Sequence, residues 1–343
     1  MKKHAIIPIF IPHFGCPNDC VFCNQRTITA RTEPVSPEDV EKIIEDYLAT
    51  LTGRGLETIE AAFFGGSFTG IPLSDQSSYL AVAHEYKRRG LIDKIHLSTR
   101  PDYIDRQILD NLAKYDVDTI ELGVQSFDPD VLTASKRGHT AAQVLDACSL
   151  IKAYGFELGI QLMIGLPCDT KEKAVASARA AASIKPSIAR LYPTVVLADT
   201  ELSRMLADGR YRALSESEAI DITKEMYKIL HEAGINIIRV GLKSTDLITN
   251  SADLGGGYHP AFRQLVEGAI ALEQMESQLE ETAAPAVTFV SNRKSFPAMI
   301  GHKACNRNAI AEKYPEISVS YAEDETLPDY KYKLLIQHRK ENS

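Results

Sequence analysis

Short apolar runs alternate with helical segments along most of this 343-residue chain, and no other feature limits its fold so tightly. The runs read "IIPIFIP", "TIEAAFFGGSF", "KIHLSTRP", "DTIELGVQS", "FELGIQLMIGLP" and "IARLYPTVV", with "NIIRVGL" returning as a further strand. Between them, "SPEDVEKIIEDYLATL" opens as a helix should. Ser36 stands where a capping hydroxyl belongs, Pro37 at the first helical position, and Glu38 and Asp39 face the positive end of the macrodipole. Further helices are predicted at 73–89, 103–114, 141–154 and 170–183, and over "SESEAIDITKEMYKILHEAG", which Gly234 terminates. That makes at least six βα units, with strands too apolar on both faces for an open antiparallel sheet. Five successive strands end in polar or glycine-rich groups: the cysteines that follow the first, then "GGSF", "STRP", "GVQS" and "GLP". Barrels gather their sites at the C-terminal ends of all strands, whereas doubly wound sheets use one switch point. The expected fold is therefore α/β, a partial (β/α)6 TIM-like barrel.

From about residue 250 the pattern changes. "GGGYHPAFRQLVE" leads from a glycine-rich loop into a helix, and "AVTFVSNR", "ISVSYAE" and "YKLLIQHR" read as strands, with a helix near 303–314. Residues 1–249 are expected to form the barrel, and residues 250–343 a small α+β cap that recognises substrate. No apolar stretch approaches the roughly 20 residues of a membrane span. The N-terminal "MKKHAIIPIFIPHFG" holds two prolines and lacks a small-residue cleavage site, so it reads as a buried strand rather than a signal peptide. The expectation is a cytoplasmic protein. A net charge of −8 argues against a protein that coats nucleic acid, but is compatible with one local RNA site.

Three of the six cysteines, Cys16, Cys20 and Cys23, fall within eight residues as C-x3-C-x2-C. Cys148, Cys168 and Cys305 are scattered, which is not a disulfide framework. Three thiolates from one loop suit zinc, copper(I) or an iron–sulfur cluster. Structural zinc wants four ligands, and only His13 or Cys305 is in prospect as a fourth. A four-iron cluster normally takes four cysteines, so three would leave one iron open to another ligand.

C-x3-C-x2-C with Phe22 before the last cysteine resembles the signature of the radical S-adenosylmethionine (SAM) superfamily. "STRPDY", "ELGVQSFD", "VLTASKRGHT" and "ARLYPTVV" resemble its elongator protein 3-like and oxygen-independent coproporphyrinogen dehydrogenase-like branch. The resemblance implies a radical SAM enzyme in which Cys16, Cys20 and Cys23 hold a [4Fe-4S] cluster and SAM chelates the fourth iron. An electron from the cluster cleaves SAM to a 5′-deoxyadenosyl radical, which takes a hydrogen atom from the substrate. An electron donor such as flavodoxin or ferredoxin would supply that electron. An RNA nucleoside, with tRNA foremost, or another small substrate would be the target.

By the same resemblance, Gly65, Gly66 and Ser67 would contact the SAM amino group, though relatives often carry glutamate where Ser67 stands. Ser98 or Thr99 would lie near the ribose, Gln125 would hydrogen-bond to SAM, and Arg137 would hold its carboxylate with a planar fork. Gln161 would sit near the ribose, and Ile164 or Gly165 beside the adenine. Tyr192, Tyr258 and His259 are candidates for substrate contact. Simpler readings stand beside these. Arg100 before Pro101 fits a solvated turn, Arg137-Gly138 a helix end, and His259 a cap for the helix that follows. Cys168, where relatives usually have glycine, is expected to be a small, partly buried residue, with a second reactive thiol or extra ligand as the alternative.

The chain ends before any acetyltransferase domain like that of the elongator subunit, so acetyl-CoA chemistry is not expected of it. Two other classes remain in view. One is a non-catalytic protein that binds or delivers a cluster, haem or cofactor. The other is a zinc-stabilised RNA-binding module, which metal analysis would identify at once.

Overall fold

The computed structural model describes residues 4–11, 20–23, 35–242 and 255–336. Seven parallel strands lie side by side in chain order: β1 (His4–Ile11), β2 (Thr58–Gly65), β3 (Lys94–Thr99), β4 (Thr119–Gln125), β5 (Glu157–Ile164), β6 (Ile188–Pro193) and β7 (Asn236–Val240). β1 and β7 are not paired with each other, so the sheet is a curled, open half-barrel. The run "NIIRVGL" supplies β7, in register with β6, and brings the sheet to seven strands rather than six.

The crossovers are α1 (Pro37–Leu51), α2 (Leu73–Arg88), α3 (Arg106–Lys114), α4 (Pro129–Ala134), α5 (Ala141–Ala153), α6 (Lys171–Ile184), α7 (Glu201–Ala207) and α8 (Glu216–Glu232). Local sequence explains their starts. Ser36 Oγ accepts from the Asp39 N–H at 3.1 Å while the Asp39 carboxylate accepts from the Ser36 N–H at 3.0 Å, a capping box. The helix expected at 103–114 starts later, because Pro101–Tyr103 form a 3-10 turn and Asp105 caps α3 by accepting from the Ile108 N–H. α4 and α7 are too short to show a helical period.

Strand side chains alternate between two faces. On the convex face Ile7, Ile9, Phe63, Leu97, Ile120, Leu122, Ile160 and Leu191 are all 0–1% exposed and pack under the helices. The concave face is not the apolar surface the strand sequences suggested. It carries Glu60, His96, Glu121 and Arg190, joined by ion pairs of His96 with Glu60 and Glu121 and of Arg190 with Glu121.

Beyond β7, α9 (Phe262–Glu280) belongs to both cores. Phe262, Val266 and Ile270 pack into the barrel core, and Ala271, Met275 and Leu279 into a second one. The second core lies against β8 (Ala286–Ser291), α10 (Phe296–Ile300), α11 (Cys305–Lys313), β9 (Ser318–Glu323) and β10 (Lys333–Ile336). Its sheet has the order β10-β8-β9, with β9 parallel to β8 and β10 antiparallel. Among the described residues no helix is long and apolar enough to cross a membrane.

Candidate active site

Cys20 and Cys23 are joined by one tight turn, in which the Cys23 N–H donates to the Cys20 carbonyl at 2.9 Å. Cys16 and His13 lie outside the described residues. The turn is pinned from two sides. The Val21 N–H donates to the Ser135 carbonyl at 3.2 Å, and the Leu202 N–H donates to the Val21 carbonyl at 2.8 Å. Val21 also packs with Val196 and Leu202, and Phe22 lies against the same small core. The short helix α7, not foreseen from the sequence, thus helps position the cysteines. Cys305 accompanies Asn306 at the start of α11, its Sγ 3.5 Å from Asn306 Oδ1.

Two buried guanidinium groups converge on Cys20. Arg137 Nη1 donates to Cys20 Sγ at 3.2 Å and Nη2 to the Gly123 carbonyl at 2.6 Å, with the Phe22 ring centroid 6.0 Å from the guanidinium carbon. Arg100 Nη1 stands 4.0 Å from the same sulfur. Arg100 also grips Asp102 with two bonds of 2.9 Å and donates to the Arg137 carbonyl. At 3% exposure it is not a solvated turn residue. Arg137 differs from it. Among the described residues no carboxylate pairs with it, and its buried Nε has no partner. A buried, uncompensated charge is costly, so this pocket is built for an anion. Thiolates of a metal cluster and the carboxylate of an amino-acid cofactor both meet that requirement. His139 registers the same positive field. Its Nε2–H donates to the Val124 carbonyl at 3.2 Å. Burial first, and then the Arg137 and Arg100 charges, push its pKa down to about 4.

The remaining candidates divide by face. Gln125 ends β4 in the left-handed region at φ 66°, and its Oε1 accepts from Gln161 Nε2 at 3.1 Å. Gly123 makes room for both Gln125 and Arg137. A Cβ there would lie 2.9 Å from Gln125 Nε2 and 3.5 Å from Arg137 Nη2. The sequence reading passed over Gly123, although a glycine inside a strand is the signal for such a close approach. Ser98 donates to Glu121 Oε1 at 3.3 Å on the concave side. Thr99 turns the other way, with its Oγ1 2.6 Å from Thr69 Oγ1, and Ile164 is packed in the convex core.

Gly65 is explained by the first strand. At φ 109°, a Cβ would lie 2.4 Å from the Ile11 carbonyl oxygen, and the next N–H, that of Gly66, donates to the same oxygen at 3.2 Å. Ser67 is 8% exposed and precedes the 3-10 turn Phe68–Gly70. After β5, Asp169 accepts from the Gly165 N–H at 2.8 Å and the Thr170 N–H at 2.9 Å, and burial pushes its carboxyl up to about 6. Cys168 in this turn has φ 64°, a conformation that suits glycine, and it is exposed rather than partly buried. His259 Nδ1 accepts from the Ala261 N–H at 3.0 Å, a cap at the entry to α9, and Tyr258 precedes it with its N–H on the Gly256 carbonyl at 2.7 Å.

Deeper in the half-barrel lies a charged chain that the sequence analysis did not foresee. His96 Nδ1 is 2.5 Å from Glu60 Oε1, His4 Nε2 is 2.9 Å from Glu60 Oε2, and Arg190 Nε is 2.7 Å from Glu121 Oε2. Burial drives the Glu60 carboxyl upward, but its bonds to His96 and His4 outweigh this and hold it below the usual range.

Residues 10–181 match the radical SAM superfamily, and residues 186–271 match the radical SAM C-terminal domain. The chain belongs to the radical SAM superfamily. It is a radical SAM enzyme, and a [4Fe-4S] cluster and S-adenosylmethionine are its cofactors. Among curated relatives, Elongator complex protein 3 of Bos taurus is 24% identical over 270 residues, covering 66% of this chain and 49% of the relative. The tRNA uridine(34) acetyltransferase of Dehalococcoides mccartyi is 24% identical over 289 residues, covering 74% and 61%. The chain thus spans about half to three-fifths of the length of these relatives. Among solved structures, the archaeal Elp3 of Methanocaldococcus infernus superposes with a TM-score of 0.55 at 21% identity, covering 74% of this chain and 62% of that one. Native anSMEcpe with bound AdoMet and Kp18Cys peptide gives 0.51 at 17% identity, covering 68% and 63%. At these identities the likeness is one of fold.

Proposed function

We propose that this radical SAM enzyme modifies a nucleoside within RNA, with Cys16, Cys20 and Cys23 as the cluster ligands and SAM bound across the C-terminal ends of β2 to β5. One observation carries the site assignment: buried Arg137, without a carboxylate partner among the described residues, stands against Cys20. When bound, the two cofactors supply one-electron cleavage of SAM and, through it, hydrogen-atom abstraction. The chain's own residues do the rest. Arg137 offers its fork to the SAM carboxylate, and the linked amides of Gln125 and Gln161 orient polar groups of the nucleoside half. Gly65, Gly66 and Ser67 present backbone near the SAM amino group, with Ser98 at the concave wall. The convex core and the anchored cysteine turn keep water from the reacting centre. Residues 1–249 act as the catalytic barrel and 250–343 as the substrate-facing cap, with Tyr192, Tyr258 and His259 toward substrate. A small electron-transfer protein, flavodoxin or ferredoxin, is the reductant, and the enzyme works in the cytoplasm.

The RNA reading draws its support from the relatives, two of which are named for elongator and for tRNA uridine(34) acetylation. The test is to incubate the reconstituted enzyme, SAM and a reductant with bulk tRNA, then digest the RNA and weigh its nucleosides by mass spectrometry. A new nucleoside mass that requires SAM supports the reading. Unchanged nucleosides together with RNA-independent SAM cleavage overturn it.

A further inference from the structure

On the concave face Arg190 and Arg239 are register partners on adjacent strands. Arg190 is already engaged. It is held by Glu121, its guanidinium carbon lies 5.0 Å from the Phe64 ring centroid, and its Nη1 donates to the Tyr192 hydroxyl at 3.3 Å. The Tyr192 oxygen therefore accepts from a cation, and its own proton has no acceptor among the described residues. Arg239 is committed only through Nε, which donates to the Gly241 carbonyl at 3.2 Å. Among the described residues its two terminal nitrogens have no acceptor and no carboxylate pairs with it. The acids of this face are already taken, Glu60 by His96 and His4, and Glu121 by Arg190 and Ser98. Tyr192 lies two residues beyond Arg190 on the same face of β6, and Arg239 stands opposite Arg190 on β7, so Arg239 and the Tyr192 hydroxyl share one wall of the half-barrel. Among the described residues no strand pairs with the far side of β7, where Arg263 of α9 donates to the Ile237 and Ile238 carbonyls, so these donors stand at the last strand of the sheet.

We propose that Arg239 and the Tyr192 hydroxyl form a phosphate subsite that holds the backbone phosphodiester beside the nucleoside to be modified. The inference rests on the RNA reading above and adds to it a point of contact. A phosphodiester has two free oxygens, one for the guanidinium fork and one for the tyrosine proton. Arginine suits this role because its fork is planar and always charged.

The test uses cluster-loaded enzyme with SAM and no reductant, and measures binding of a short single-stranded RNA oligonucleotide across a range of salt concentrations. Arg239→Gln is expected to bind about tenfold more weakly, with a log–log salt slope smaller by about one. Arg239→Lys is expected to keep the slope. Replacing linkages one at a time with neutral methylphosphonate should reveal one position that weakens the wild type about tenfold and leaves Arg239→Gln unchanged. Equal affinity and slope in wild type and Arg239→Gln would overturn the subsite while leaving RNA as the substrate. A wild type that binds no RNA would remove the substrate class itself. If Arg239→Gln does not hold iron, the methylphosphonate series on the wild type decides, and the absence of any sensitive linkage overturns the proposal.

Discussion

Arg137 Nη1 stands 3.2 Å from Cys20 Sγ, and both side chains are almost wholly shut from solvent. The two residues are 117 positions apart in the chain. What brings them together is the turn after α4, whose Ser135 carbonyl also receives the Val21 N–H. A permanent cation against a buried cysteine sulfur is the electrostatic centre of this site.

Arg137→Met removes the fork and the charge without adding bulk. Loss of a charge-assisted bond of about 1.5–3 kcal/mol corresponds to about 10–100-fold in affinity. SAM binding to the cluster-loaded variant, followed by equilibrium dialysis, is expected to weaken by that factor. Arg137→Lys should recover only part of it, because a point charge lacks the bidentate geometry. Unchanged SAM affinity in Arg137→Met would show that the arginine serves the fold alone.

Gly65→Ala is expected to destabilise the barrel by about 1–3 kcal/mol, whether or not SAM is present. The conformation at φ 109° resists any side chain, and the Ile11 carbonyl occupies the position of the Cβ. Urea unfolding of the variant should show a lower midpoint with an unchanged slope. An unaltered midpoint would mean that β1 and β2 can separate there at little cost.

The Glu121–Arg190 pair makes a sharper demand. Glu121→Gln leaves Arg190 buried without its counter-charge, a change that costs about 3–5 kcal/mol when one partner of a buried pair is lost. Glu121→Gln with Arg190→Met should be less damaging than Glu121→Gln alone, which a double-mutant cycle in urea will measure. Additive losses would indicate that the two side chains do not depend on each other.

His139 predicts a pH dependence. Its folded-state pKa of about 4 lies below the ordinary 6.5, so the unfolded chain binds the extra proton between those values. The stabilisation is therefore complete above about pH 6.5 and is lost as pH falls toward 4, in total on the order of 3 kcal/mol. Glu60, whose pKa is also depressed, adds a loss confined to pH below its ordinary 4.5. His139→Gln should flatten the stability profile between pH 6.5 and 4 while leaving the lower limb in place. An equally steep profile in the variant would assign the dependence to other groups.

The barrel was legible because its signals are local. Strand periodicity, the Ser36 cap and the Gly234 stop lie within single segments, and the seven strands of the sheet fall where they were read. The cysteine spacing was equally open to inspection. What escaped was set by contacts between distant segments. Glu60, His96, Glu121 and Arg190 lie on four strands, and nothing in any one strand marks its charge as buried and paired. Gly65 was read as a place for ligand approach, yet the Ile11 carbonyl of β1 already requires a glycine there. Arg100 looked like a turn residue until Asp102 and the Arg137 carbonyl enclosed it. Arg239 carries no motif at all, and only its register opposite Arg190 gives it meaning.

The central claim is that Cys16, Cys20 and Cys23 hold a cluster at which SAM is cleaved. The most direct measurement is 5′-deoxyadenosine formed by protein reconstituted with iron and sulfide in the absence of oxygen, given SAM and dithionite. It is run beside a variant carrying Cys16→Ala, Cys20→Ala and Cys23→Ala. The account predicts 5′-deoxyadenosine from the wild type and none from the variant, which should also lose its acid-labile sulfide. Product from the triple variant, or none from a wild type carrying four irons and four sulfides with SAM bound, would contradict it.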